Sequence, residues 1–218
     1  MSEAAATTGG PSVGELIDTE GELARTGPFV ANVVSKIQGA YTRRPQAPWA
    51  RAALAQLRQG LGREVGEVPE ILALTVNPNA PRPATDEPTR DEKAIHVAMT
   101  LYGLHQQSQS SPMHVPRVRF GTALGGLRFA GGTENPGVVR RFQALGTATE
   151  LGELVHHART LVTLLRAAGR GFDYGRFAED LSDFQAPGRA DRVRLRWGRD
   201  FYRVSTPQTP SVASTEEQ

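Results

Sequence analysis

The chain contains no cysteine. Disulfide frameworks and thiolate metal sites are therefore excluded, and a reducing compartment is compatible with the composition. No run of about 18 apolar residues occurs, so no segment reads as a membrane-spanning helix. The first dozen residues, MSEAAATTGGPS, have neither the basic start nor the apolar stretch of a secretion signal, which points to the cytoplasm. Lysine is scarce: Lys36 and Lys93 are the only two among 25 basic residues, so the positive charge is carried by arginine. Aromatics make up only 6% of the chain, too few to fill a core and also line a surface that reads bases one by one. Runs of β-branched residues in strict alternation are nearly missing.

Catalytic constellations are missing as well. There is no HExxH, no P-loop and no nucleophile elbow. His105 falls inside the apolar arc of a helix and reads as a hydrogen-bonded core residue. His156 and His157 are adjacent, so on a helix they diverge by about 100° and cannot face one metal together. The Gly121–Gly126 run is too irregular for a phosphate cradle, and helix packing explains its glycines. Asp180 and Asp183, three apart on an amphipathic helix, read as a solvated face rather than a metal pair. These absences lead to a protein that is not an enzyme and needs no cofactor.

What is present is helix and an uneven charge. Residues 1–24 carry five acidic residues and no basic one, and residues 204–218 carry only Glu216 and Glu217. The body, 25–203, thus holds all 25 basic residues and 16 of the 23 acidic ones, an excess of nine positive charges. Such a body suits a polyanionic partner, and arginine forks match phosphate. The clearest helix is Glu150–Ala168, with an i, i+3, i+4, i+7 stripe from Leu151 to Leu165. Thr147 and Glu150 have capping-box spacing before it, and Gly169 stands at its stop. Asp91–Gln107 is a second long helix. Further helices fit Phe29–Gly39, Trp49–Gly60, Pro69–Leu74, Val138–Leu145 and Asp173–Phe184. Breaks at Asn77–Pro88, Gln109–Pro116 and Ala130–Gly137 divide the chain. The expected organisation is all-α: a disordered extension over 1–12, a helical bundle over 13–130, a second small bundle over 131–204 packed on the first, and a disordered tail over 205–218.

The arginines fall in rows. Val193–Trp197 alternates like a strand, yet a lone strand in a helical chain has no partner to pair with, so Ala190–Val204 is expected to be a helix. Arg192, Arg196, Arg199 and Arg203 then share an arc of roughly 60° and a ridge roughly 16 Å long. Trp197 and Phe201 anchor the opposite face, Arg196 and Arg199 face solvent, and Asp191 and Asp200 point away from the ridge. Arg51 and Arg58 are seven apart on one helix, as are Arg159 and Arg166 on another. Arg43, Arg44, Arg117, Arg119, Arg140 and Arg141 add charge at loops and helix starts. Binding to a nucleic-acid backbone with little sequence preference is the expected activity. A free-standing helical DNA-binding regulator is the alternative, but no clear helix-turn-helix pattern supports it.

Several runs, in order, resemble a known family. Trp49–Gly60 (WARAALAQLRQG), Leu101–Gln106 (LYGLHQ), Val139–Leu145 (VRRFQAL), Asp173-Tyr174, Ala178–Leu181 (AEDL) and Trp197–Tyr202 (WGRDFY) resemble, together and over roughly residues 28–203, the CasB family. That family is the small subunit of the type I-E CRISPR surveillance complex, Cascade. The resemblance implies an all-helical fold of two small bundles and no catalytic site. It implies partners as well: crRNA, target DNA in the R-loop, the backbone and large subunits, and a second copy of the chain. By motif position it carries the basic role to Arg51, Arg58, Arg140, Arg141 and the terminal ridge. The acidic N-terminal extension and the glycine-rich stretch 121–132 depart from the family pattern.

Overall fold

The computed structural model describes residues 25–129 and 132–203. The expected extension over 1–12 and tail over 205–218 lie outside the described residues. Nine α-helices are found among them: α1 (Thr26–Thr42), α2 (Pro48–Gln59), α3 (Leu72–Thr75), α4 (Arg90–His105), α5 (Phe120–Gly125), α6 (Pro136–Thr147), α7 (Leu151–Ala167), α8 (Tyr174–Gln185) and α9 (Ala190–Arg203). A single 3₁₀ turn, Pro69–Ile71, leads into α3. No strand occurs among the described residues; an isolated bridge joins His114 to Phe172. The fold is all-α, as the sequence predicts.

Helix ends follow local chemistry. Thr89 opens α4 with a complete capping box: its hydroxyl accepts from the Glu92 amide, and the Glu92 carboxylate accepts from the Thr89 amide at 2.8 Å. The box expected at Thr147 and Glu150 is not made. The Thr147 hydroxyl turns back onto the Ala144 carbonyl, Glu150 itself is the N-cap of α7 without a side-chain bond, and Glu153 accepts from the Thr149 amide instead. Gly169 does stop α7. Its φ is +62°, and the Gly169 and Arg170 amides donate to the Arg166 and Leu165 carbonyls, the paired bonds of a Schellman motif.

The core is one continuous body of buried side chains drawn from α1 to α9. Helix α8 is central: it packs on α1, α4 and α9. In α7 the predicted stripe is the buried face, with Leu154, Ala158, Leu161, Val162 and Leu165 inaccessible. Each buried Leu or Val contributes about 1.5–3 kcal/mol against exposure. At the centre, Phe172 stacks on Tyr174 (centroids 4.3 Å) and on His105 (5.4 Å), and Phe120 leans on Phe172 at 4.9 Å.

Polar groups at this centre pair with one another. His105 Nδ1 lies 2.9 Å from Tyr174 Oη, and burial pushes the imidazole pKa down to about 3, so the ring is neutral. The Tyr174 amide donates to His114 Nδ1, and Gln38 clasps the His114 backbone from both sides, donating to its carbonyl and accepting from its amide. His105 is thus a structural core residue, as expected, and no group of three metal-ligating side chains is found among the described residues.

Candidate nucleic-acid interface

Helix α9 is helical from Ala190 to Arg203, which decides against the strand reading of Val193–Trp197. Val193, Trp197 and Phe201, spaced by four, are buried and dock it on the body. Phe201 stacks face to face on Phe142 of α6 at 3.8 Å, while Trp197 meets Phe120 of α5 edge-on at 5.4 Å. The opposite face carries the arginines. Arg192, Arg196, Arg199 and Arg203 line one open groove of about 370 Å³ together with Arg119, which stands at the N-terminus of α5. Five of the sequence-predicted arginines therefore converge.

Gly121 makes that convergence possible. A Cβ at this position would lie 2.5 Å from the Trp197 carbonyl oxygen and 2.9 Å from Asp200 Cβ. Only a residue without a side chain lets α5 approach α9 this closely. Helix packing is thus the role of this glycine.

The groove is not uniformly cationic. Asp200 lines it, paired with Arg119 at 3.5 Å, so the expectation that Asp200 points away is corrected. Asp191 does point outward; its side chain is 93% exposed and pairs with Arg194 at 2.6 Å. Arg196 is the second correction. It is not a free solvent-facing arm: its guanidinium pairs with Asp180 at 2.6 Å and reaches Asp183 at 3.6 Å, both on α8.

Asp180 is the third correction. It is no part of a solvated face, since its side chain is only 14% exposed and accepts from Trp197 Nε1 at 2.5 Å. Burial pushes its carboxyl up to about 6, against the opposing pull of the Arg196 guanidinium, the Trp197 hydrogen bond and the more distant Arg119. Sequence spacing could not reveal these pairs because they join two helices. What remains exposed on the ridge is Arg192, Arg199 and Arg203.

The other predicted arginines lie elsewhere. Arg44 is exposed after α1, and Arg51 is exposed on α2 with Arg58 half-buried seven residues on. Arg117 is exposed in a left-handed turn (φ +69°) that its amide fixes by donating to Asp173. Arg140 and Arg141 are exposed on α6, the latter returning a hydrogen bond to the Gly137 carbonyl at 3.0 Å. Arg159 is exposed on α7, whereas Arg166 turns inward to Gln107 at 3.0 Å. None of these lines the α9 groove.

The expectation that no aromatic is left for stacking also needs correction. Tyr202 is 52% exposed, as is Leu195, and both belong to α9. Their seven-residue spacing is the signal by which the sequence displays a shared face, but an aromatic at helical spacing reads equally well as core.

Known proteins share this fold. The family described as CRISPR-associated protein Cse2 matches over residues 53–202. A crystal structure of CasB from Thermobifida fusca is similar with 34% identity and a TM-score of 0.69, covering 81% of this chain and 97% of that one. A CRISPR-associated protein of the Cse2 family from Thermus thermophilus is similar with 25% identity and a TM-score of 0.60, over the same shares. A chain of a CRISPR RNA-guided surveillance complex, at 22% identity and a TM-score of 0.60, covers 83% of this chain and 94% of its own length and shares the fold. No curated protein sequence matches. With the family pattern running from α2 to the end of α9 and a CasB relative sharing the backbone path over four-fifths of this chain, the chain belongs to the Cse2, or CasB, family.

Proposed function

We propose that this protein is the non-catalytic small subunit of an RNA-guided type I-E CRISPR surveillance complex, in which its arginines grip nucleic-acid backbone and hold target DNA in the R-loop. The observation that carries this reading is the α9 groove, which Arg119, Arg192, Arg196, Arg199 and Arg203 line together with one carboxylate, Asp200. Family membership supports the setting, as does the likeness in fold to a chain of a CRISPR RNA-guided surveillance complex. The expected partners are crRNA, target DNA, the backbone and large subunits and a second copy of this chain. Base pairing between guide and target supplies sequence, and the protein supplies charge at the right spacing.

The roles within the groove differ. Arg192, Arg199 and Arg203 reach for phosphates, since each is exposed. Arg196 is held by Asp180 and Asp183 and Arg119 by Asp200, so these two fix the groove's walls. Arg51, Arg58, Arg140, Arg141, Arg117, Arg44 and Arg159 supply further backbone contacts away from the groove.

The test is a reconstituted complex carrying Arg192→Glu, Arg199→Glu and Arg203→Glu, assayed by gel shift on target DNA across a salt series. Assembly should persist, affinity should fall, and the salt slope should drop by about one unit per lost phosphate contact. An unchanged affinity and slope would remove α9 from the binding surface.

A further inference from the structure

We infer that Tyr202 is a stacking platform for an unpaired base, so that the α9 face grips single-stranded nucleic acid in preference to duplex. The inference rests on the backbone-grip reading above and names the class of nucleic acid it takes. Among the described residues, three large hydrophobic side chains are exposed, Val76, Leu195 and Tyr202. Two of the three sit on the helix that carries the arginine row. At 100° per residue, Leu195 and Tyr202 point within about 20° of each other and border the row on the Arg199 side. Their seven-residue spacing sets them about 10.5 Å apart along the axis, at 1.5 Å per residue. Leu195 lines the groove itself.

An exposed apolar edge beside a row of arginines is costly for a surface that meets only phosphate, which needs none. It suits a strand whose phosphates lie on the arginines while its bases turn to the side. Paired bases in a duplex keep their faces stacked on one another and have none to offer; an unpaired strand does.

Tyr202 is also set in place. Its ring makes edge-type contacts with Phe142 (6.1 Å, 84°) and Phe201 (4.9 Å, 90°), and the Arg128 guanidinium lies 5.0 Å from its centroid. Arg128 is anchored in turn by Glu134 at 2.5 Å and by the Phe201 carbonyl at 3.4 Å. A ring held on several sides and still half exposed loses little further freedom when a base stacks on it. A neighbouring guanidinium adds to the attraction for an electron-rich base. The polar Oη keeps the exposed ring compatible with water, which an exposed phenylalanine would not be.

The experiment compares the full-length wild-type chain with Tyr202→Ala, Tyr202→Phe and Arg199→Glu on two probes, a 20-nucleotide single strand containing 2-aminopurine and a 20-base-pair duplex. Tyr202→Ala should weaken single-strand binding roughly 5- to 150-fold, the range that removal of one stacked base implies, while duplex affinity and both salt slopes stay as they are. Tyr202→Phe should restore the single-strand affinity, and the stacking quench of 2-aminopurine should vanish only in the alanine variant. Equal losses on both probes, or a quench that survives Tyr202→Ala, would overturn the inference. Unchanged binding to both probes would also overturn it and make the stripe a surface for protein. Arg199→Glu separates the two levels of the argument. If it leaves binding untouched, the backbone-grip reading fails; if it weakens both probes while Tyr202→Ala weakens neither, only the stacking role falls.

Discussion

The molecule has two polar clusters, and they treat charge in opposite ways. Around His105, Tyr174 and His114, beside Phe172, the paired groups are neutral: the imidazole of His105 is held uncharged by burial, its Nδ1 meets the Tyr174 hydroxyl, and the Tyr174 amide donates to His114 Nδ1. Between α8 and α9 the groups are ionic: Asp180, Asp183 and Arg196 meet at the margin of the core, with Trp197 lending its indole N–H. The neutral cluster is buried away from water and ties helices of the core together. The ionic one lies where part of each group still reaches solvent, and it fixes the orientation of the helix that carries the exposed arginines. Charge is thus kept at the margin of the core, next to the arginine row, and out of its centre, as the cost of burying ions requires.

Breaking the neutral cluster should have the larger effect. Phe172 touches His105, Tyr174, Phe120 and Phe177, and Phe172→Ala should cost about 3–5 kcal/mol in a urea titration by opening a cavity among rings that cannot collapse onto it. Should this variant melt like wild type, the centre is not where the fold is fastened. His105 sharpens the comparison through pH. Its folded pKa, about 3, lies below the unfolded value near 6.5. The unfolded chain therefore binds the extra proton, and stability from this residue is full above about pH 6.5 and falls as pH drops, by at most about 1.4 kcal/mol per unit. His105→Leu should lack that component, seen as a shallower loss of stability between pH 6.5 and 4 than in wild type.

The ionic cluster should give the smallest effect and the opposite sign. Asp180 has a folded pKa of about 6, above its ordinary value of 3.8. The folded state binds the proton more tightly, so the stability tied to Asp180 is greatest below about pH 3.8 and is lost as pH rises through 6. Asp180→Ala should cost about 1.5–3 kcal/mol at pH 5 through the lost bonds to Arg196 and Trp197. Relative to this variant, wild type should lose ground as pH climbs from 4 to 7. A difference that stays flat over that range would show that Asp180 titrates as it does in the unfolded chain.

Much of the fold was legible because helices announce themselves by period. The α7 stripe, its glycine stop, and the buried Val193, Trp197 and Phe201 of α9 all follow from spacing. Short elements did not: α5 has only six residues, too few to show a period, and its place is fixed by Gly121 meeting Trp197 across the fold. Capping depended on context too, since Thr147–Glu150 and Thr89–Glu92 have the same spacing and only the second closes. In the candidate site the arginine row was legible as an arc, but its division into held and free arms was not. Arg196 and Arg199 look alike in the sequence, and the carboxylates that separate them arrive on another helix. Tyr202 was hidden for a different reason, because nothing in a helical period tells an aromatic that packs inward from one that borders the buried face.

The close seat of α5 against α9 has a consequence for how this surface can change over time. Arg119 rides at the start of one helix and the other arginines of the groove ride on the other, so the gap between Arg119 and that row is a mechanical dimension, set where Gly121 meets the Trp197 carbonyl. A single added methyl would act as a shim. It would force α5 and α9 to shift against each other and change that gap, while leaving each arginine chemically intact. The ruler that spaces the charges is therefore a residue that carries no charge and no side chain, and drift at that one position alters the pattern as surely as losing an arginine would.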